Sequence, residues 1–144
     1  MKSSIRLKVR NMLNAKNNRK IAAGVLIKCR ETNKVLLLLR NDKAYEPNTW
    51  SMVSGGVESG EEVLEGLKRE VKEEISIDPN IIEYEFVGIT YSKSKNLDFH
   101  YYKGFTNTEF IPKLDYENLD WGWFDKDNLP ENLYPNLEGK IDKI

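Results

Sequence analysis

The apolar positions of this chain fall into short runs that suit β-strands and two stretches with helical spacing. Ile21 to Ile27 and Val35 to Leu39 are rich in β-branched residues and leucine, and the polar segment Arg30 to Lys34 between them predicts a hairpin. Asn41 to Thr49 is polar, contains Pro47 and reads as a loop, and Trp50 to Val53 reads as a short strand entering the turn Ser54–Gly55–Gly56. Leu64, Leu67, Val71 and Ile75 share one face of a helix. Ser59 and Glu62 have capping-box spacing ahead of that helix, and Pro79 lies just past its end. Strands are expected at Tyr84–Tyr91, Leu97–Phe105 and Trp121–Phe124, with a last helix or irregular tail after Pro130. The second helical stretch is at the start, where Ile5, Val9, Met12 and Leu13 stand at i, i+4, i+7 and i+8 before Asn17 and Asn18 break the pattern. No repeat or linker divides the chain. The expectation is one α+β domain over residues 1–144, with residues 1–17 as a basic, helical N-terminal segment.

Composition narrows the class. A chain of 144 residues buries a real core, and 40% apolar with 31% charged residues is ordinary for a soluble protein. The longest apolar run, Val35 to Leu39, is far shorter than the ~20 residues that span a bilayer, so no membrane partner is expected. Nothing at the start resembles a secretory signal. Cys29 is the only cysteine, which rules out an intrachain disulfide and suits a reducing compartment, the cytoplasm by default. With His100 also alone of its type, a structural zinc site is disfavoured. Net charge is −1 but uneven: nine basic residues precede the first acid, Glu31, and the rest of the chain holds 13 basic against 23 acidic residues.

Some of those acids are arranged. On a helix at about 100° per residue, Glu70 and Glu74 project together one turn apart, and Glu73 lies about a quarter turn away, beside the apolar stripe. Like charges so spaced repel, and more strongly next to a buried face. A hard divalent cation such as Mg²⁺ relieves that repulsion and favours oxygen ligands. The competing reading is a solvated acidic face, paired locally with Lys68, Arg69 and Lys72. Glycines at 55, 56 and 60 allow close backbone approach at the helix entrance and tilt the balance toward a ligand site.

The stretch Gly55 to Ile77 resembles the Nudix box, G-x5-E-x7-R-E-U-x-E-E-x-G-U, where U is a bulky aliphatic residue. Gly55, Glu61, Arg69, Glu70, Val71, Glu73, Glu74 and Ile77 are in register without a gap, and Ser76 stands where the family has glycine. The box covers 23 of 144 residues. Outside it, the preceding hairpin, Trp50 and the spacing from Glu117 to Trp123 are similar to the family layout. Trp50 to Glu58 looks like the version found in some nucleoside or pterin triphosphate pyrophosphohydrolases, as does Glu117 to Trp123, with Asn118 in place of a histidine.

The resemblance implies an α/β/α sandwich around a mixed sheet, and an Mg²⁺-dependent pyrophosphohydrolase in which Mn²⁺ can substitute. Its substrate would carry a diphosphate linkage, in a nucleoside diphosphate-linked or nucleoside triphosphate-like molecule. Glu70 and Glu74 would be the main metal ligands, joined by the Gly55 carbonyl. Glu73 would serve a second metal or act as general base, and Glu117 would be the fourth acid and the other candidate base. Glu61 and Arg69 would hold the carboxylates in position, and Arg40 would contact substrate phosphate, against a plain reading as a surface arginine ending a strand. Three rivals remain at this point. One is an RNA 5′-end pyrophosphohydrolase that uses the basic N-terminus to hold RNA. Another is a catalytically silent nucleotide-binding module, which would be expected to lack some of the box glutamates. The third, a prenyl diphosphate isomerase, needs a cysteine at the site, whereas Cys29 falls in a strand before the box.

Overall fold

The computed structural model describes residues 19–144. The helix expected over residues 3–16 lies outside them. The hairpin forms from β1 (Lys20–Cys29) and β2 (Val35–Arg40), but the two strands pair only at Ile27 with Leu36 and Lys28 with Val35. Toward its start β1 turns from β2 to β4 (Val53–Gly56), from Val25 opposite Val53 to Ala22 opposite Gly56. The segment expected as one short strand is therefore two: β3 (Trp50–Ser51) pairs with β2, and β4 pairs with β1 after a break at Met52. Ser54, Gly55 and Gly56, expected as a turn, are part of β4. They continue the ladder because β1 offers an unpaired edge once β2 has diverged.

On its other edge β1 runs parallel to β6 (Leu97–Thr106) along all ten residues, and β6 carries the antiparallel β5 (Glu83–Ser92). A seventh strand, β7 (Asn118–Phe124), pairs with β2. The sheet is mixed, and β5 is an outer strand. Strand alternation divides its side chains between two cores. Ala23, Val25, Ile27, Leu36 and Leu38 pack with Leu67, Val71 and Ile75 of α1 (Val63–Ile75). Leu26, Val35 and Leu37 pack on the opposite face with Leu137 and Ile141 of α2 (Leu137–Asp142). One helix on each face makes the expected α/β/α sandwich.

The box helix starts later than its spacing suggests. Gly60 has a φ of 89°, so the chain is still turning there. Glu62 is the residue ahead of the first helical turn, and no side chain caps that end. The capping box of Ser59 and Glu62 does not form. The i, i+3 bond is made one residue earlier, where the Glu58 N–H donates to Glu61 Oε1 at 2.8 Å. At the other end Ser76 is left-handed (φ 54°, ψ 38°) and its N–H donates to the Lys72 carbonyl. A left-handed L-residue costs about 1–2 kcal/mol, part of which glycine returns as unfolded-chain entropy. Ser76→Gly should therefore stabilise the fold by about 0.5–1 kcal/mol. Urea unfolding would read this as a higher midpoint at unchanged slope, and a lower midpoint would mean that the serine side chain stabilises the turn.

Candidate active site

The apolar stripe of α1 fixes where its glutamates go. With Leu67, Val71 and Ile75 fully buried against the sheet, Glu74 on the same side is carried inward and is only 4% exposed. Asn118 Nδ2 donates to Glu74 Oε1 at 3.2 Å, whereas Glu74 Oε2 has no hydrogen-bond partner. Burial and then the neighbouring Glu70 carboxylate push the Glu74 carboxyl up to about 9. A buried acid of this kind, with an orphaned oxygen and a second carboxylate facing it, is poorly served by protein alone.

Glu70 lies against β4. A Cβ built at Gly55 would sit within 2.6 Å of both Glu70 carboxylate oxygens, so only glycine lets the strand pass beside this side chain. The third acid comes from the far end of the chain. Residues 107–117 fold back over the C-terminal end of α1, where Lys113 N–H donates to the Ile75 carbonyl and Asp115 N–H to the Glu74 carbonyl. These bonds satisfy helix-end acceptors and deliver Glu117 to the site, just before β7 begins. Ligand oxygens from Glu70, Glu74 and Glu117 lie within 4.8 Å of one another. Burial, and after it Asp115 and Glu70, raise the Glu117 carboxyl, while Arg40 opposes the shift.

Arg69 organises the remaining acids. Its Nε donates to Glu61 Oε2 at 2.9 Å, and Nη2 reaches Glu61 Oε1 and the Gly56 carbonyl. Nη1 donates to Glu70 Oε1 at 2.9 Å and to Glu73 Oε2 at 3.0 Å. The bond to Glu61 is the largest cause of the upward shift of Arg69, which keeps its charge at every accessible pH. Glu61 is 3% exposed and also accepts the Glu58 N–H, so this clasp ties the loop before α1 to the helix. Glu73 is thus brought to Arg69 and stands outside the group formed by Glu70, Glu74 and Glu117. Helical spacing puts the three box glutamates together, but the guanidinium separates one from the others.

Glu74 and Glu117, with Gly55 and Asn118, line part of a cavity of about 960 Å³. Arg40, Lys20, Lys43 and Lys95 also line it, so basic side chains share the cavity with the two acids. Arg40 Nε donates to the Tyr45 carbonyl at 2.8 Å and its guanidinium lies 5.3 Å from the Tyr134 ring centroid, which holds it beside the opening. Tyr45, Phe99, Tyr116 and Tyr134 add aromatic surface. Asn118 and the tyrosines were not identified from sequence. Asn118 had one signal, its place beside Glu117 in the run ending at Trp123, but the tyrosines come from loops with no shared pattern.

An acidic cluster suited to a hard cation beside basic side chains suited to phosphate is what a phosphate-handling hydrolase requires. The family model for the NUDIX domain matches residues 18–143, and the chain belongs to this family of hydrolases of phosphoric anhydride bonds. A dihydroneopterin triphosphate diphosphatase from Haemophilus influenzae is 32% identical over 78% of this chain and 77% of that protein. An NAD-capped RNA hydrolase, NudC, from Stutzerimonas stutzeri is 35% identical over 65% of this chain, a stretch that spans 33% of NudC. Among solved structures, a Caenorhabditis elegans Ap4A hydrolase superposes with a TM-score of 0.68 at 24% identity, over 86% of this chain and 93% of its own, and shares the fold. Among the described residues, no helix is long and apolar enough to cross a membrane.

Proposed function

We propose that this chain is a divalent-metal-dependent pyrophosphohydrolase that cleaves a diphosphate linkage in the triphosphate of a heteroaromatic nucleotide or pterin. The observation that carries the reading is the buried Glu74, whose Oε2 has no hydrogen-bond partner and whose carboxylate lies within 4.8 Å of oxygens of Glu70 and Glu117 beside a cavity lined by basic residues. Glu70, Glu74 and Glu117, with the backbone at Gly55, are the groups that would hold Mg²⁺, or Mn²⁺ in its place; an all-oxygen donor set suits a hard cation. Such a cation, when bound, neutralises charge on the diphosphate oxygens and acidifies water.

The chain's own residues supply the rest. Arg40 orients a substrate phosphate at the opening, and the tyrosines and Phe99 offer ring faces to the base or pterin. Arg69 fixes Glu70 and Glu73, and Asn118 fixes one oxygen of Glu74 so that the other faces the site. Glu117 accepts the proton from the attacking water. Its exposed position in the acidic cluster lets it meet water. Glu73, held by Arg69, serves as a positioning charge.

The test is a Mg²⁺-dependent substrate panel read by mass: nucleoside triphosphates, dihydroneopterin triphosphate, Ap4A, nucleotide sugars and 5′-triphosphate RNA. Release of pyrophosphate or phosphate from a small triphosphate is expected, and no turnover of any member would sink the reading. The NudC similarity and the basic first eighteen residues favour RNA ends as the second reading; a strong preference for the RNA with a steep salt dependence would promote it.

On the best substrate, Glu117→Gln should lower kcat more than Asp115→Asn or Asp120→Asn. A base must be ionised to work, so wild-type activity falls as pH drops through the Glu117 pKa, and the variant should lose that acidic limb. A limb that persists in Glu117→Gln and vanishes in Glu73→Gln would move the base to Glu73.

A further inference from the structure

Four aromatic rings line the cavity, and they are not equally ready to take a planar group. Lys95 Nζ already lies 3.6 Å from the centroid of the Tyr45 ring, and the Arg40 guanidinium lies beside Tyr134. Tyr116 is 83% exposed. All three tyrosines stand on loops. Phe99 is different, because it belongs to β6, and a strand holds a ring more rigidly than a loop does.

The neighbours of Phe99 are small. Parallel register sets Phe99 beside Ala22 of β1, and antiparallel register sets Ala22 beside Gly56 and Gly24 beside Ser54 of β4. Strand alternation puts these positions on one face of the sheet, and none carries more than a serine side chain. Phe99 therefore stands beside a flat floor, of which Ala22, Ser54 and Gly56 line the cavity. Its ring leans along β1 onto Gly24, where an added Cβ would stand 2.5 Å from Phe99 Cζ and 3.0 Å from Met52 Sδ. Gly24 lies inside a strand and its backbone is not left-handed. A glycine there weakens the strand, and the close approach of the Phe99 ring accounts for it. From Phe99 across Ala22 to Gly56 is two strand spacings, about 10 Å. Gly56 adjoins Gly55, against which the Glu70 carboxylate packs.

We infer that Phe99 is the specificity-determining ring for the substrate's heteroaromatic group, and that Gly24 is the residue that positions it. The inference rests on the hydrolase reading above and narrows it. The group is planar and is recognised by stacking over a floor of small side chains, while its phosphate chain runs across β4 toward Glu70. Phe99 has no polar atom, so it selects a planar ring over a bare polyphosphate without choosing among bases. A Cβ at position 24 forces the ring off β1 and into the space that the substrate's ring would occupy.

The test compares wild type with Gly24→Ala and Phe99→Leu on the best triphosphate of the panel, with inorganic tripolyphosphate as a competing inhibitor. Loss of a base–aromatic stack costs about tenfold in affinity, so KM should rise by about that factor in both variants with kcat close to wild type. The inhibition constant of tripolyphosphate, which has no ring, should stay the same. An equal rise in that constant would assign Phe99 and Gly24 a structural role only and overturn the inference, as would an unchanged KM in Phe99→Leu. If Gly24→Ala fails to fold, Phe99→Leu carries the comparison, since leucine keeps the site apolar and creates no backbone conflict. Binding is read separately by NMR on the wild-type protein with Mg²⁺ and excess ATP, GTP or dihydroneopterin triphosphate, whose rings survive cleavage. At least one should shift the Phe99 ring protons, and tripolyphosphate should not. Phe99 protons unmoved by all three overturn the inference even where turnover is normal. A Phe99 shift without turnover of any panel member sinks the hydrolase reading and leaves the ring site standing.

Discussion

Glu74→Gln should cost about a hundredfold or more in turnover while making the metal-free protein more stable. Loss of a residue that merely supports a metal ligand already costs roughly 10–100-fold, and Glu74 is assigned as a ligand itself. The stability effect has the opposite sign because the Glu74 carboxylate is buried beside Glu70 and one of its oxygens has no partner. Its folded-state pKa is raised to about 9 from an ordinary glutamate value of 4.5. Between those limits the folded chain keeps a proton that the unfolded chain has released. Stability without metal therefore falls as pH rises through this window, and the stabilisation is fully present only below it. Glutamine is uncharged and retains an acceptor for Asn118, so it lacks the slope. In chelator, the melting temperature of the variant should exceed that of wild type by a margin that grows from pH 6 to pH 9. Mg²⁺ should then raise the wild-type value and leave the variant nearly unmoved. Equal Mg²⁺ stabilisation of both proteins would remove Glu74 from the metal site.

Arg69→Met should be strongly destabilising, by about 3–5 kcal/mol, because it takes the guanidinium away from a buried carboxylate rather than opening a cavity. Glu61 is almost fully buried and takes two of its hydrogen bonds from this guanidinium. Glu70 and Glu73 lose their shared donor, and the Gly56 carbonyl loses its side-chain partner. The double variant Arg69→Met/Glu61→Gln should recover much of the loss, since glutamine still accepts the Glu58 N–H without a charge. Denaturant unfolding of the two variants would separate the causes. If the double variant is no more stable than the single one, the buried charge of Glu61 is not what Arg69 compensates.

Parts of this arrangement are legible in sequence because helical periodicity is local. Leu67, Val71 and Ile75 define the buried face of α1, and Glu70 and Glu74 follow from it at fixed angles. The runs of β1 and β2 are equally direct, since each buries alternate residues on two cores. Other parts depend on contacts between distant segments. Glu117 arrives through backbone bonds from residues 107–117 to the carbonyls of Glu74 and Ile75, and backbone bonds leave no side-chain pattern. The different position of Glu73 depends on which carboxylates Arg69 reaches, a choice that a helical wheel does not contain. Gly55 and Gly56 suggest a turn by composition. The reason for glycine at position 55 is instead the Glu70 carboxylate beside a strand, visible only once α1 is docked.

The parallel pairing of β1 with β6 also bears on how the chain is made. Lys20 must find Leu97 and Cys29 must find Thr106, partners separated by seventy-seven residues of sequence. At synthesis rates of about 5–20 residues per second, several seconds pass between the appearance of the first strand and that of its partner. Nearby β2 and β4 can occupy one edge of β1 in that interval, but the other edge, along Ile21 to Ile27, waits. This is a short, uncharged, apolar segment of the type that associates with copies of itself when left open. The nascent chain, more than the finished enzyme, is where aggregation competes, and slow-folding or crowded expression should be where yield is lost.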